Sequence, residues 1–202
     1  MLHRMGLTLG LLLLANVGQA EIIDFESLTI SNNNNFNFVP GNFAYDEKGF
    51  HLSTTMNSGL LFPGTSASLY ELAGNSTAVQ ANSLLDTSVL QAIGGGAFSV
   101  SSIDVSETCL TCGPQIVNFV GNIVGGGTVT QSFTMDNVSG RQTVAFSGFG
   151  NITSLNWFYG NNSRAQVDNI VTGAAMVPEP TTCLLLGSGL IALLGWNRKR
   201  IS

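Results

Sequence analysis

The chain has 202 residues with 12 acidic and 7 basic side chains, a formal charge of −5, and charged residues make up only 9% of it. That length suits one domain with appendages. An acidic chain whose only Lys/Arg run lies at its extreme C-terminus lacks the clustered cations that hold phosphate backbones, which excludes nucleic acid as an expected partner. Nineteen Asn and 24 Gly carry the polarity and favour turns and strand edges over helices.

In chain order, residues 1–20 read as a secretory signal: a short basic start at His3 and Arg4, an apolar run from Leu7 to Ala15, and the small-residue site Gly18-Gln19-Ala20. Signal peptidase and the secretion machinery are therefore expected partners, with cleavage after Ala20. With His3 removed, His51 is the one remaining histidine, so no mechanism needing two is expected.

Residues 21–173 are the predicted domain, large enough for one core. The segment Ile22-Ile23-Asp24-Phe25-Glu26 opens it, and residues 31–37, SNNNNFN, form an Asn-rich tract predicted to be a loop. Residues 84–93 fit either a short helix or a strand. Short alternating segments then recur at 98–105, 115–124, 128–135, 141–149, 152–159 and 165–171, separated by Gly and Asn. Within 143–149, Val144 and Phe146 share one face while Thr143, Ala145 and Ser147 share the other. This period of two, with no capped helical run, predicts an all-β, antiparallel β-sandwich that is jelly-roll-like.

Cys109 and Cys112 lie between two of these runs. In an oxidising compartment they are expected to form a disulfide that staples a turn. Gly113 and Pro114 follow in place of the helix that thioredoxin-type chemistry needs, and two further ligands for zinc are missing. Trp157 and Tyr159 are the aromatic candidates for stacking on a sugar ring, beside the alternative that they pack in the core with Phe158 on the other face. No acid pair, GxSxG elbow or phosphate-binding loop marks a catalytic residue, and no motif requires a cofactor.

The opening acids and the closing Val167-Asp168-Asn169-Ile170 are similar in outline to jelly-roll modules whose first and last strands lie side by side. That likeness implies a structural calcium held by Asp24, Glu26 and Asp168, hard oxygen ligands suited to an exported protein.

Residues 174–180 form a linker containing Val177-Pro178-Glu179-Pro180. Residues 181–196 are a charge-free apolar stretch, about 24 Å long as a helix, which spans a bilayer with local thinning. Residues 197–202 carry the Arg198-Lys199-Arg200 stop signal, held in the cytoplasm by the positive-inside rule. Extended prolines, a short apolar helix and a basic tail, taken together, resemble the PEP-CTERM sorting signal of Gram-negative bacteria. The resemblance implies a transmembrane sorting helix, processing by an exosortase near Pro178-Glu179-Pro180, transient anchoring in the inner membrane, and a final place at the cell surface or outside the cell.

Such proteins commonly accompany exopolysaccharide and biofilm. Low charge with abundant Asn, Ser and Thr adds extracellular polysaccharide as an expected contact, so the reading is a non-enzymatic surface or matrix module. Its rival is a secreted hydrolase acting on matrix polysaccharide.

Overall fold

The computed structural model describes residues 20–28, 36–41, 43–63, 76–109, 111–138, 140–160 and 165–174. The signal segment 1–19, most of the Asn-rich tract, and residues 175–202, with Val177, Pro178, Glu179, Pro180, Arg198, Lys199, Arg200 and the expected transmembrane helix, lie outside the described residues.

Every element among the described residues is a strand. The first half of the chain supplies β1 (Ala20–Ile23), β2 (Phe36–Phe38), β3 (Ala44–Glu47), β4 (Phe50–Thr54), β5 (Leu60–Pro63), β6 (Gln80–Ala81) and β7 (Ser88–Ala92). The second half supplies β8 (Phe98–Glu107), β9 (Ile116–Ile123), β10 (Thr128–Thr134), β11 (Gln142–Ala145), β12 (Ile152–Gly160) and β13 (Ala165–Ala174). All pairings are antiparallel.

Strands β3-β4-β7-β12-β9-β10 form one layer, and β1-β13-β8-β11 form the other. Among the described residues, the two layers pair strand to strand at Ile152 opposite Phe98. The small sheet β2-β5-β6 reaches the second layer through the bridge between Val79 and Val167.

The alternation read from sequence decides what lies between the layers. Leu52, Leu90, Leu155, Trp157 and Phe119 point inward from the first layer, and Ile103, Val105, Val144 and Val167 from the second. Aromatic edges lock the layers together: Phe50 meets Phe98 at 5.2 Å, and Phe119 meets Phe146 at 5.0 Å. The first and last strands do lie side by side, with Ile22 opposite Val171 and Ile23 opposite Ile170.

Three expectations change in detail. Residues 84–93 resolve into a strand, β7, preceded by a turn organised by the fully buried Asp86. Its carboxylate accepts bonds from Thr55 Oγ1, Met56 N, Ser58 N and Thr87 N at 2.8–3.1 Å. Burial pushes that carboxyl up, but bonds from Ser58, Met56 and Thr55 outweigh it and bring it down to about 2. The run 141–149 is a strand only over Gln142–Ala145, because Gly148 turns the chain at φ +86°. Asn37, assigned to a loop, sits in β2 opposite Phe62.

Gly121 of β9 lies where side chains crowd its backbone, from Val129 and Ile152 on the two strands beside it and from Phe149. A Cβ there would sit 2.8 Å from Phe149 Cδ1, 2.9 Å from Ile152 Cγ2 and 2.9 Å from Val129 Cγ1. Gly121→Ala is therefore expected to cost about 1–3 kcal/mol by overpacking, read as a lower urea midpoint at unchanged slope. An unchanged midpoint would contradict this packing.

Candidate functional site

Two regions collect polar side chains: the outward face of the first layer, and the end of the molecule where β1 meets β13.

On the outward face, period two sets the membership. Trp157 is 1% and Tyr159 8% exposed, and the Tyr159 hydroxyl donates to Ala165 O at 2.8 Å. Of the two readings of Trp157 and Tyr159, stacking on a sugar is thereby corrected and core packing holds: both rings are buried, with Trp157 opposite Phe119 and Tyr159 opposite Val117. Phe158 between them points out, 39% exposed.

Register builds the face around it. Phe158 lies opposite Asn118, and Asn118 opposite Ser132, whose hydroxyl donates to Asn118 Oδ1 at 2.7 Å. The next row runs Ser53, Val89, Asn156, Val120, Thr130 across five strands. A third places Ser154 beside Asn122 and Thr128, with Asn122 Nδ2 donating to Ser154 Oγ at 2.7 Å. Toward the β3 edge, His51 Nδ1 meets Asp46 Oδ1 at 2.5 Å on the same outward face, an orienting acid that sequence reading missed because it lies across a hairpin. Amides, hydroxyls and one exposed ring on a sheet can stack on and hydrogen-bond to a neutral polyol.

At the β1–β13 end, pairing of these strands carries residues 24–26 to the flank of Asp168, and the Val79–Val167 bridge brings residues 76 and 77 alongside. Glu26 Oε1 accepts from Thr77 N at 2.8 Å and Ser76 Oγ at 3.1 Å. The same Ser76 hydroxyl lies 2.5 Å from Asp168 Oδ2. A bulge in β13 follows Asp168, and Asn169 takes φ +45° within it. This aims Asn169 Nδ2 at Asp104 Oδ2, 2.9 Å away. Asp104 is held in turn by Thr143 Oγ1 at 2.6 Å and Arg141 Nε at 3.4 Å.

Asp24 is not part of this group. Its Oδ2 pairs with Lys48 Nζ at 2.8 Å, and Lys48 also donates to Ile22 O. The lysine holds the Asp24 carboxyl below its ordinary range. Glu47 accepts from Phe25 N at 3.0 Å, and burial holds its carboxyl high. The expected triad Asp24, Glu26 and Asp168 is thus corrected to a pair, Glu26 and Asp168, because Lys48 neutralises Asp24 first. Among the described residues, no three His, Cys, Asp or Glu side chains are grouped to hold a metal ion. Sequence reading missed Ser76 and Asp104 and named Asn169 only within the closing segment; the Asp-Asn step inside a strand run was the available bulge signal, since Asn tolerates the left-handed region.

The expected disulfide is present: Cys109 and Cys112 are bonded across a turn after β8. Gln115 Nε2 donates to Cys109 O at 2.6 Å and ties that turn to the start of β9.

Against known proteins, residues 177–199 match the PEP-CTERM protein-sorting motif. No curated protein matches the chain. Among solved structures, the chain is similar to a DUF4465 family protein from Bacteroides ovatus ATCC 8483, at 10% identity over 77% of this chain and 98% of that one, TM-score 0.44. It is also similar to the family 32 carbohydrate-binding module of C. perfringens NanJ, solved with galactose, at 14% identity over 64% and 98% of the two chains, TM-score 0.37. A family 29 carbohydrate-binding module matches at 12% identity over 77% and 88%, TM-score 0.36.

Asp168 is fully buried, and desolvation is the main reason its carboxyl rises to about 6. The Ser76 and Asn169 bonds pull it down, while the charges of Glu26 and Asp104 push it further up. A carboxyl held above its unfolded value of about 3.9 favours the folded state when protonated, so its contribution grows as pH falls from 7 toward 4. In calcium-free buffer, wild type should gain about 2–3 kcal/mol over that window relative to Asp168→Asn, from urea unfolding. Parallel profiles for the two proteins would contradict the buried, charge-crowded carboxyl.

Proposed function

We propose that this chain, which carries the PEP-CTERM protein-sorting motif at residues 177–199, is an exosortase-processed surface or matrix protein whose jelly-roll-like sandwich contacts polysaccharide without turning it over. The motif supports the sorting half: its span includes Pro178-Glu179-Pro180, the apolar stretch and two of the tail's basic residues, Arg198 and Lys199. The residue pattern agrees with this reading, since two closely spaced prolines disfavour helix and so suit a substrate for a protease cleft.

The contacting half rests on the outward face of the first layer, and Phe158 with Asn118 and Asn156 is the observation that carries it. A ring among amides and hydroxyls binds sugars by stacking and by bonds that replace those to water. The rival hydrolase needs two carboxylates facing one substrate. The carboxylates of Asp24, Glu26, Asp86, Asp104 and Asp168 are instead engaged in bonds that hold loops and strands together. Expected sites of residence are the inner membrane before processing, then the cell surface or surrounding matrix.

A structural calcium is part of this reading in a narrowed form. Glu26 and Asp168, converging on one hydroxyl, are the residues that would hold it. Bound calcium would keep Asp168 ionised and flatten the acid-side gain described above; an unchanged profile with added calcium would contradict the site.

Phe158→Ala is expected to weaken retention on the cognate matrix polysaccharide roughly tenfold in affinity electrophoresis, the size of one lost aromatic contact. Retention equal to wild type would remove the outward face from the account, and turnover abolished by changing a single carboxylate would establish the hydrolase. Separately, replacing Pro178-Glu179-Pro180 with three alanines should leave the protein uncleaved in the inner membrane. Normal release of that variant would refute exosortase processing.

A further inference from the structure

Strand β10 is an edge. It pairs with β9 along its length and, among the described residues, with no other strand. Its sequence, TVTQSFT, contains no charge and no proline. Natural edge strands are usually protected by Lys, Pro or a bulge, because a bare row of N–H and C=O groups is a template for another strand. None of these devices is present in β10.

The hydrogen bonds at the two ends of the ladder show which groups are bare. Met135 N donates to Gln115 O at 2.9 Å and Ile123 N donates to Gly127 O at 3.0 Å. In an antiparallel ladder bonded residues alternate. The odd-numbered residues of β10 therefore turn their backbone groups to β9, and Thr128, Thr130, Ser132 and Thr134 turn theirs away. The side chains of these four residues are also exposed.

A second regularity concerns what such an edge would fit. About Gln131 the strand reads nearly the same in both directions: Thr130 mirrors Ser132, Val129 mirrors Phe133, and Thr128 mirrors Thr134. Two copies laid antiparallel about a two-fold axis through Gln131, whose Nε2 donates to Ala145 O of its own chain at 2.8 Å, would set hydroxyl against hydroxyl and apolar against apolar. That register also sets even residues opposite even residues, so the bare backbone groups of one copy meet those of the other. A two-fold axis at Thr130 would instead place Val129 opposite Gln131, and a one-residue slip would set bare groups against bonded ones.

We infer that β10 is a self-association edge, pairing antiparallel with β10 of a second copy about Gln131 to give an isologous dimer with one continuous sheet across both chains. The outward rows through Asn118, Val120 and Asn122 end on Ser132, Thr130 and Thr128, so pairing sets two such faces side by side. The inference stands on the edge strand alone and does not depend on what that face binds.

The register makes the test specific. Opposed residues in a bonded antiparallel pair have Cα atoms about 5.5 Å apart, within disulfide range. Full-length Thr130→Cys and Ser132→Cys chains are produced separately and together, oxidised in cells, and their cross-links mapped by mass spectrometry so that Cys183 is distinguished. Co-production is expected to give a several-fold excess of the 130–132 cross-linked dimer over either variant alone. Equal cross-linking in the single variants, or no 130–132 link, would overturn the proposed register.

A second variant guards against misfolding. Proline at residue 130 removes an N–H that points away from β9, so it leaves the native ladder intact. Detergent-solubilised full-length Thr130→Pro should keep the wild-type unfolding transition but sediment at half the wild-type protein mass. A wild-type protein that is itself monomeric, or a Thr130→Pro protein that stays dimeric, would overturn the inference.

Discussion

Along each regular stretch of strand in this sandwich, a residue can face the shared core only if its two neighbours face away. The need to bury Leu155, Trp157 and Tyr159 forces Asn156 and Phe158 outward, and the same parity runs through β9 as Val117, Phe119 and Gly121 inside with Asn118, Val120 and Asn122 outside. The outward surface is thus the complement of the core. Its amides and single ring are where they are because bulky apolar residues claimed the alternate positions. Gly121 marks the limit of that demand, since Phe149 and the neighbouring Ile152 and Val129 leave no room even for a methyl group.

Parity alone does not close the molecule. Among the described residues the layers share one strand pairing, Ile152 with Phe98. They are otherwise held by core packing and by ties such as Lys48 to Asp24, Phe25 N to Glu47 and Gln131 Nε2 to Ala145 O. Two polar clusters fix loops and strands within the layers and to the small sheet. Asp86 holds the turn between β4 and β5 through backbone donors. At the other end, Glu26, Ser76, Asp168, Asn169 and Asp104 link residues from four chain segments. These two clusters respond to acid in opposite senses. Asp86 loses its contribution as pH falls through about 2, whereas Asp168 gains as pH falls through about 6.

The strands from β8 onward were legible because their alternating runs are long and bounded by Gly or Asn, with 128–135 and 152–159 nearly matching β10 and β12. The first half was harder to read. Strands β2, β5 and β6 are two to four residues long, too short for a period to show, and exist through pairing with distant partners. The site was partly legible for the same physical reason. Cys109 and Cys112 are local in sequence, so their bond could be read there. Asp24 was misassigned because its partner Lys48 arrives from another hairpin, and Ser76 lies 92 residues from Asp168. Trp157 and Tyr159 were correctly placed on one face of a strand, but nothing local says which face is core.

That choice of face underlies the fold, the contacting surface and the alternation along β10, and hydroxyl-radical footprinting of the wild-type protein tests it directly. Indole and phenol rings are intrinsically among the most readily oxidised side chains, so protection reports burial. Oxidation is expected at Phe158 and at Met56, which is 62% exposed, with Trp157 and Tyr159 protected until denaturant is added. Oxidation of Trp157 in the folded protein at its denatured rate would contradict the assignment of inward and outward faces.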